Sequence, residues 1–235
     1  MANTLDRLAD QVRENRIWRS IFRSGTGESN LHRALTVQQN VFLHLFSVKA
    51  RKRTLEFRAT WYLGALTFGT FLILVITGIL LMLYYHPSVP QAYADMKDLQ
   101  FVVSSGVFLR NLHRWAAHAM VITVWLHMLR VFLTGSYKPP REFNWCIGVL
   151  LLVLTFAFSF TGYLLPWDQL SLWAVTVEAN LAGDARSLLL GAQTVGEDTL
   201  NRFYVLHCLG LPLAAIGLMA IHFWRVRKDG ISGLL

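Results

Sequence analysis

Four histidines stand on apolar stretches at matched intervals: His113 and His127, then His207 and His222. An imidazole offers a nitrogen ligand, and an ionisable side chain inside a membrane-length apolar segment is costly and usually functional. The first interval is fourteen residues and the second fifteen. At a helical rise of roughly 1.5 Å per residue, each covers about 21–22 Å, most of a bilayer core. Fourteen residues leave a net rotation of roughly −40° and fifteen roughly +60°, so each pair stays on one broad helix face. Two such helices side by side predict two stacked cofactors, one near each membrane surface. A planar cofactor between facing imidazoles points to haem, and filled axial positions leave no site for O₂, so its task is electron transfer. Zinc would want three or four ligands converging on one small site. These pairs lie about four helical turns apart.

The elements that must position these residues are legible from hydropathy. Four segments read as transmembrane helices: about Trp61–Tyr84, Leu112–Leu133, Phe143–Leu165 and Phe203–Trp224. Each is long enough to cross about 30 Å of hydrocarbon. The chain is 54% apolar and only 15% charged, with mean hydropathy +0.41, a balance that a soluble domain of this size rarely reaches. Trp61, Tyr84, Tyr85, Trp145, Trp167, Trp173 and Trp224 cluster near the span ends, as interfacial aromatics do. No strand and no internal repeat beyond the paired histidines is expected.

Charge sets the orientation. The net charge is +8, and residues 1–60 hold 11 of the 22 Lys and Arg. The basic residues track helix ends, which argues for the positive-inside rule and against nucleic-acid binding. Lys49, Arg51, Lys52, Arg53 and Arg58 precede the first span, Lys138 and Arg141 fall between the second and third, and Arg225, Arg227 and Lys228 follow the fourth. The loop after the third span carries Asp168, Glu178, Asp184, Glu197 and Asp198 against Arg186 and Arg202. The N-terminus, the 134–142 connection and the C-terminus are therefore expected on the n (cytoplasmic) side, and loops 85–111 and 166–202 on the p side. That makes the second and fourth spans parallel. It pairs His113 with His207 near the p side and His127 with His222 toward the n side.

Residues 1–24 pattern as an amphipathic helix on the n-side surface, or as a solvated or partner-bound arm. Residues 24–30 read as a flexible break and 37–47 as a second, weaker surface helix. No cleavable signal is expected at the charged N-terminus. Cys146 and Cys208 form no CxxC or CxxCH motif, so neither a disulfide framework nor c-type haem attachment is indicated.

Glycines keep the histidine register. Gly64 and Gly78 lie fourteen apart in the first span, Gly148 and Gly162 fourteen apart in the third. A bulky cofactor between the second and fourth spans needs room against the other two. Ordinary small-residue helix packing is the rival reading of any single glycine. Haem propionates need cations, and Arg110, Arg114 and Arg130 are placed for that role. Arg130 could equally snorkel at a helix end. His118, about 140° around the helix from His113, reads as a packing residue. His32, His44 and His86 receive no role.

With these residues in hand, the chain resembles the cytochrome b6 branch of the cytochrome b family over roughly residues 61–235. The resemblance rests on Tyr-Tyr-His-Pro at 84–87, His-Arg-Trp at 113–115 and His-Met-Leu-Arg-Val-Phe-Leu-Thr-Gly at 127–135. It continues through Pro-Arg-Glu at 140–142, Thr-Gly-Tyr-Leu-Leu-Pro-Trp-Asp-Gln at 161–169, Arg-Phe-Tyr-Val-Leu-His at 202–207 and Arg-Lys-Asp-Gly-Ile-Ser-Gly at 227–233. It implies an all-α membrane protein: a four-helix transmembrane bundle holding two b haems, with a p-side surface helix and the n-side N-terminal amphipathic arm. The basic arm would be 1–60 and the bundle domain 61–235.

The resemblance further implies a p-side quinol-oxidation pocket near Tyr163, Trp173 and Ala174 and an n-side quinone pocket near Arg227. It implies a dimeric complex, embedded in membrane lipid, with a Rieske iron–sulfur protein and a c-type cytochrome. A separate subunit would carry a Pro-Glu/Asp-Trp-Tyr motif that these 235 residues lack. The family's cysteine tether for an extra haem is replaced here by Tyr62, so no covalently attached haem is expected. An untethered extra haem or a pigment is left open. The implied function is the di-haem b subunit of a quinol:cytochrome c or plastocyanin oxidoreductase, in a bacterial plasma membrane or a thylakoid. The alternative is a di-haem anchor linking quinone to a peripheral dehydrogenase or nitrate-reductase-like module.

Overall fold

The computed structural model describes residues 56–231, together with Gln11, Glu14, Asn15, Ser29 and Asn30. Apart from those five residues, the surface helices expected over 1–24 and 37–47, the break at 24–30, His32, His44 and the basic cluster at 49–53 lie outside the described residues. Among the described residues there is helix and no strand.

Among the described residues four helices are long and apolar enough to cross a membrane. They are α1 (Leu63–Met82), α3 (Gly106–Leu133), α4 (Glu142–Leu164) and the stretch Glu197–Asp229, which comprises α6 (Glu197–Val205), a π turn (Leu206–Gly210) and α7 (Leu211–Asp229). Between α1 and α3 lies α2 (Val89–Phe101), and α5 (Gln169–Leu181) follows α4. Helix is the required form here, because hydrocarbon offers nothing to an unpaired backbone group. Large apolar side chains along the spans, among them Leu66, Ile76, Ile79, Val153 and Leu213, are exposed on the chain, as a lipid-facing surface requires.

Two differences from the sequence reading have local causes. The 85–111 segment, expected as a loop, contains α2. Ser88 stands at its N-cap position and Pro90 in its first turn, where a missing N–H costs nothing. Helix α3 starts at Gly106, six residues before the expected Leu112, because backbone hydrogen bonding continues past the hydrocarbon edge. A Cβ at Gly106 would overlap the Leu99 carbonyl, so glycine permits that close entry.

Contacts divide the chain into two compact units. One contains Tyr62–Leu126 and Leu152–Ile216; the other contains His127–Leu151, the described residues from 217 to 231 and the described residues before Tyr62. The first has two core clusters beside its spans. Leu164, Val175, Ala179, Leu190 and Phe203 form one, beneath α5. Tyr85, Ala92, Trp167 and Leu200 form the other, beneath α2. Tyr85 and Trp167, read from sequence as interfacial aromatics, are therefore buried. The Tyr85 hydroxyl donates to the Leu165 carbonyl at 2.7 Å, and its ring stacks on Tyr204 at 5.5 Å. Asp168 caps α5, its Oδ1 accepting from the Ser171 N–H and hydroxyl, both at 2.9 Å.

His86, given no role from sequence, is part of a clasp. Asp95 of α2 is 4% exposed. Its Oδ2 accepts the His86 backbone N–H at 2.6 Å and Nδ1–H at 3.0 Å, and its Oδ1 accepts from Gln91 Nε2 at 2.9 Å. Burial alone would raise the Asp95 pKa, but the bonds from Gln91 and His86 and the His86 charge outweigh it and hold the carboxyl below its ordinary value. A depressed folded pKa stabilises above the unfolded value and loses that contribution as pH falls through the folded one. The Asp95 carboxylate's contribution to the clasp is thus present at neutral pH and is lost below about pH 4. Asp95→Asn should be less stable than wild type at pH 7, with a shallower acid dependence below about pH 4, as read by thermal unfolding across pH.

Candidate functional site

The structure brings the four histidines together as two facing pairs. His113 and His207 lie with ring centroids 6.5 Å apart at 67°, within one unit. His127 and His222 lie 6.4 Å apart at 79°, within the other. Two metal–imidazole bonds of about 2 Å leave roughly 4 Å between facing nitrogens, which with a ring radius on each side puts centroids roughly 6.3 Å apart. Both pairs therefore keep the spacing that one iron between them requires. Among the described residues no group of three or more His, Cys, Asp or Glu is placed to hold a metal ion. Two facing imidazoles, with no further cluster of ligating side chains among the described residues, suit a group that brings most of its own ligands, as haem does.

The His113–His207 pair is locked by two threonines. Thr77 Oγ1 donates its proton to the Ile73 carbonyl at 2.7 Å, so towards His113 Nδ1, 2.8 Å away, it can only accept. Thr161 Oγ1 likewise donates to Ala157 at 2.8 Å and accepts from His207 Nδ1–H at 2.9 Å. Both rings are thereby fixed with the proton on Nδ1 and the Nε2 lone pair left for a metal. Both threonines are buried, and each directly precedes one of the register glycines, Gly78 and Gly162.

Those glycines face the ligands themselves. A Cβ on Gly162 would stand 2.6 Å from His207 Cε1 and 3.2 Å from its Nε2; one on Gly78 would stand 3.3 Å from His113 Cε1. At these two positions the room expected for a cofactor is room for an imidazole. A Cβ on Gly148 would stand 3.4 Å from Met128 Sδ, and Gly64 is the second residue of α1. A cavity of about 230 Å³ opens between the rings, lined among others by Phe71, Met82, Phe158 and Cys208.

His207 sits inside the π turn, where the Leu211 N–H bonds to the Leu206 carbonyl five residues back. Such turns insert one residue into an α-helix and are frequent at functional sites. This accounts for the fifteen-residue interval. With one residue absorbed, the helical phase from His207 to His222 corresponds to about fourteen residues, matching that from His113 to His127.

The second pair has different surroundings. His222 Nδ1 is buried with no hydrogen-bond partner among the described residues. One turn on, Arg225 is completely buried; its Nη2 lies 2.9 Å from Asp229 Oδ2, and its guanidinium stands over Phe143 at 5.5 Å and Trp224 at 5.7 Å. Arg130, three residues after His127 on α3, is half-buried.

The remaining sequence candidates are scattered. Arg110 is half-buried and Arg114 exposed on α3. The Arg114 carbonyl accepts from His118 Nδ1 at 2.7 Å. Tyr163 and Trp173 are exposed, whereas Ala174 packs against the core beneath α5. The Tyr163 carbonyl accepts from Ser171, tying α5 to the end of α4. Arg227 is half-buried on α7, Cys146 is exposed and Cys208 half-buried, and Tyr62, exposed, takes a left-handed φ of 51° just before α1. Sequence reasoning missed Thr77, Thr161, Arg225 and the π turn. The repeated Thr-Gly dipeptide and the odd fifteenth residue were the available signals; Arg225 had none beyond its place three residues after His222.

The family model Cytochrome b/b6/petB matches residues 48–230. A cytochrome b6 from Heliobacterium mobile is 45% identical over 177 residues, covering 72% of this chain and 83% of that protein. A cytochrome b6 from Gracilaria tenuistipitata var. liui is 43% identical over 180 residues, covering 74% and 84%. Among solved structures, a chain of a hyperthermophilic respiratory Complex III superposes with a TM-score of 0.70 at 27% identity, over 96% of this chain. The present chain spans 56% of that one.

Proposed function

The chain belongs to the cytochrome b/b6 family, and from that premise we propose that it is the di-haem b electron-transfer subunit of a b6f- or bc-type quinol:cytochrome c or plastocyanin oxidoreductase. It moves electrons from quinol oxidised on the p side to quinone reduced on the n side, coupled to proton translocation, with both termini on the n side. The observation that carries this reading is the pair of facing bis-imidazole sites with centroids 6.4–6.5 Å apart. Each histidine pair would hold a haem, and the group would supply a one-electron couple there.

His113 and His207 hold one haem, and His127 and His222 the other. Thr77 and Thr161 orient the first ligand pair. Arg110, Arg114 and Arg130 offer cations to propionates. Tyr163, Trp173 and Ala174 contribute to the p-side quinol pocket and Arg227 to the n-side one. Partners are a Rieske protein, a c-type cytochrome and a subunit with the Pro-Glu/Asp-Trp-Tyr motif, in a dimeric complex.

Pyridine haemochrome analysis with haem staining of the denatured chain tests this reading. The expected result is two b haems per chain, both extracted on denaturation because Tyr62 offers no thiol. One haem or none per chain would sink it. Co-purification of a molybdenum or flavin subunit instead of a Rieske protein would replace it with the membrane-anchor reading.

A further inference from the structure

We propose that the Thr77 and Thr161 hydroxyls lower the reduction potential of the haem held by His113 and His207, and so act as tuning residues rather than as helix-packing residues alone. The inference rests on the haem-binding reading above. Each hydroxyl has its own proton engaged by a backbone carbonyl, Ile73 for Thr77 and Ala157 for Thr161. Each therefore presents only a lone pair to the ligand's Nδ1–H, at 2.8 and 2.9 Å. An acceptor on the far nitrogen shifts electron density into the ring and makes the coordinating nitrogen more basic. A more basic axial ligand favours the higher oxidation state of the iron.

The second pair supplies the internal contrast. His222 Nδ1 has no acceptor among the described residues, and the residues before Gly64 and Gly148 are Leu63 and Ile147, which carry no hydroxyl. Identical ligand sets with unequal far-nitrogen partners are a device for giving chemically similar irons different affinities for the electron.

The test is a redox titration of the b-haem absorbance in the complex carrying the full-length chain. The variants are Thr77→Val, Thr161→Val, Thr77→Ser and Thr161→Ser, each made singly. Valine keeps the shape and removes the acceptor; serine keeps the acceptor and removes the methyl. Each valine variant should raise the midpoint of the His113–His207 haem by an amount that changes its oxidised-to-reduced ratio about tenfold at fixed potential, about 59 mV for one electron. Each serine variant should return the wild-type midpoint, and the His127–His222 midpoint should not move in any of them. An unmoved or lowered midpoint in the valine variants, with both haems present, overturns the proposal. So does loss of that haem from both valine variants with retention in the serine ones, which would assign the hydroxyls to retention. Absence of haem from the wild-type chain would instead overturn the haem-binding reading itself.

Discussion

If the two histidine pairs each hold a haem as proposed, His222→Leu should halve the b-haem content of the complex and leave the spectrum of the His113–His207 haem unchanged. Leucine fills the imidazole volume without offering a ligand, and one axial histidine is left on the other side. The substitution should be structurally mild, because His222 Nδ1 has no hydrogen-bond partner to abandon among the described residues. His207→Leu is the harsher change, since it also strands the Thr161 hydroxyl. Haem per chain, with low-temperature difference spectra to tell the two signals apart, measures both variants. Loss of both haems in His222→Leu, or of neither, would show that the histidines are paired wrongly.

Gly162→Ala is expected to remove the haem of the other pair. The new methyl would stand 2.6 Å from His207 Cε1 and 3.2 Å from Nε2, the nitrogen that would bind the iron. The ring cannot simply retreat, because Thr161, the adjacent residue on the same helix, holds its Nδ1. Overpacking of this kind costs about 1–3 kcal/mol, and here relief comes from rotating the imidazole away from its partner. Gly78→Ala should be milder, its Cβ standing 3.3 Å from His113 Cε1, within reach of a small adjustment. The two alanine variants side by side, read by haem ratio and thermal unfolding, should rank Gly162 well above Gly78. Equal and wild-type behaviour would mean that the glycines serve ordinary helix packing.

Much of this arrangement is readable in the sequence because a membrane simplifies the code. Length and hydropathy alone mark the spans, and the histidine intervals mark the pairs, since helical phase is arithmetic. The features that stay hidden do so for physical reasons. Helix α2 is a polar segment with weak periodicity, so the stretch from Tyr85 to Phe101 reads as loop. Gly78 and Gly162 stand out by their register, while the threonines before them look like ordinary span residues; their role depends on a neighbouring helix supplying the imidazole. Arg225 groups by sequence with the basic residues that orient a helix end, and only tertiary packing shows it enclosed with Asp229 between Phe143 and Trp224. The quinone candidates rest on resemblance alone, and the exposure of Tyr163 and Trp173 on this chain gives them no geometry of their own.

The π turn at Leu206–Gly210 makes one codon expendable. Removing a single residue after His207 in this turn would let the Leu211 N–H close onto a carbonyl four positions back, turning the irregular stretch into ordinary α-helix. Every side chain from Leu211 onward would keep its angular position. The same deletion anywhere between Leu211 and His222 would swing His222 about 100° around the axis. Length variation among genes for this fold should therefore be permitted at one place in the fourth span and forbidden a turn later.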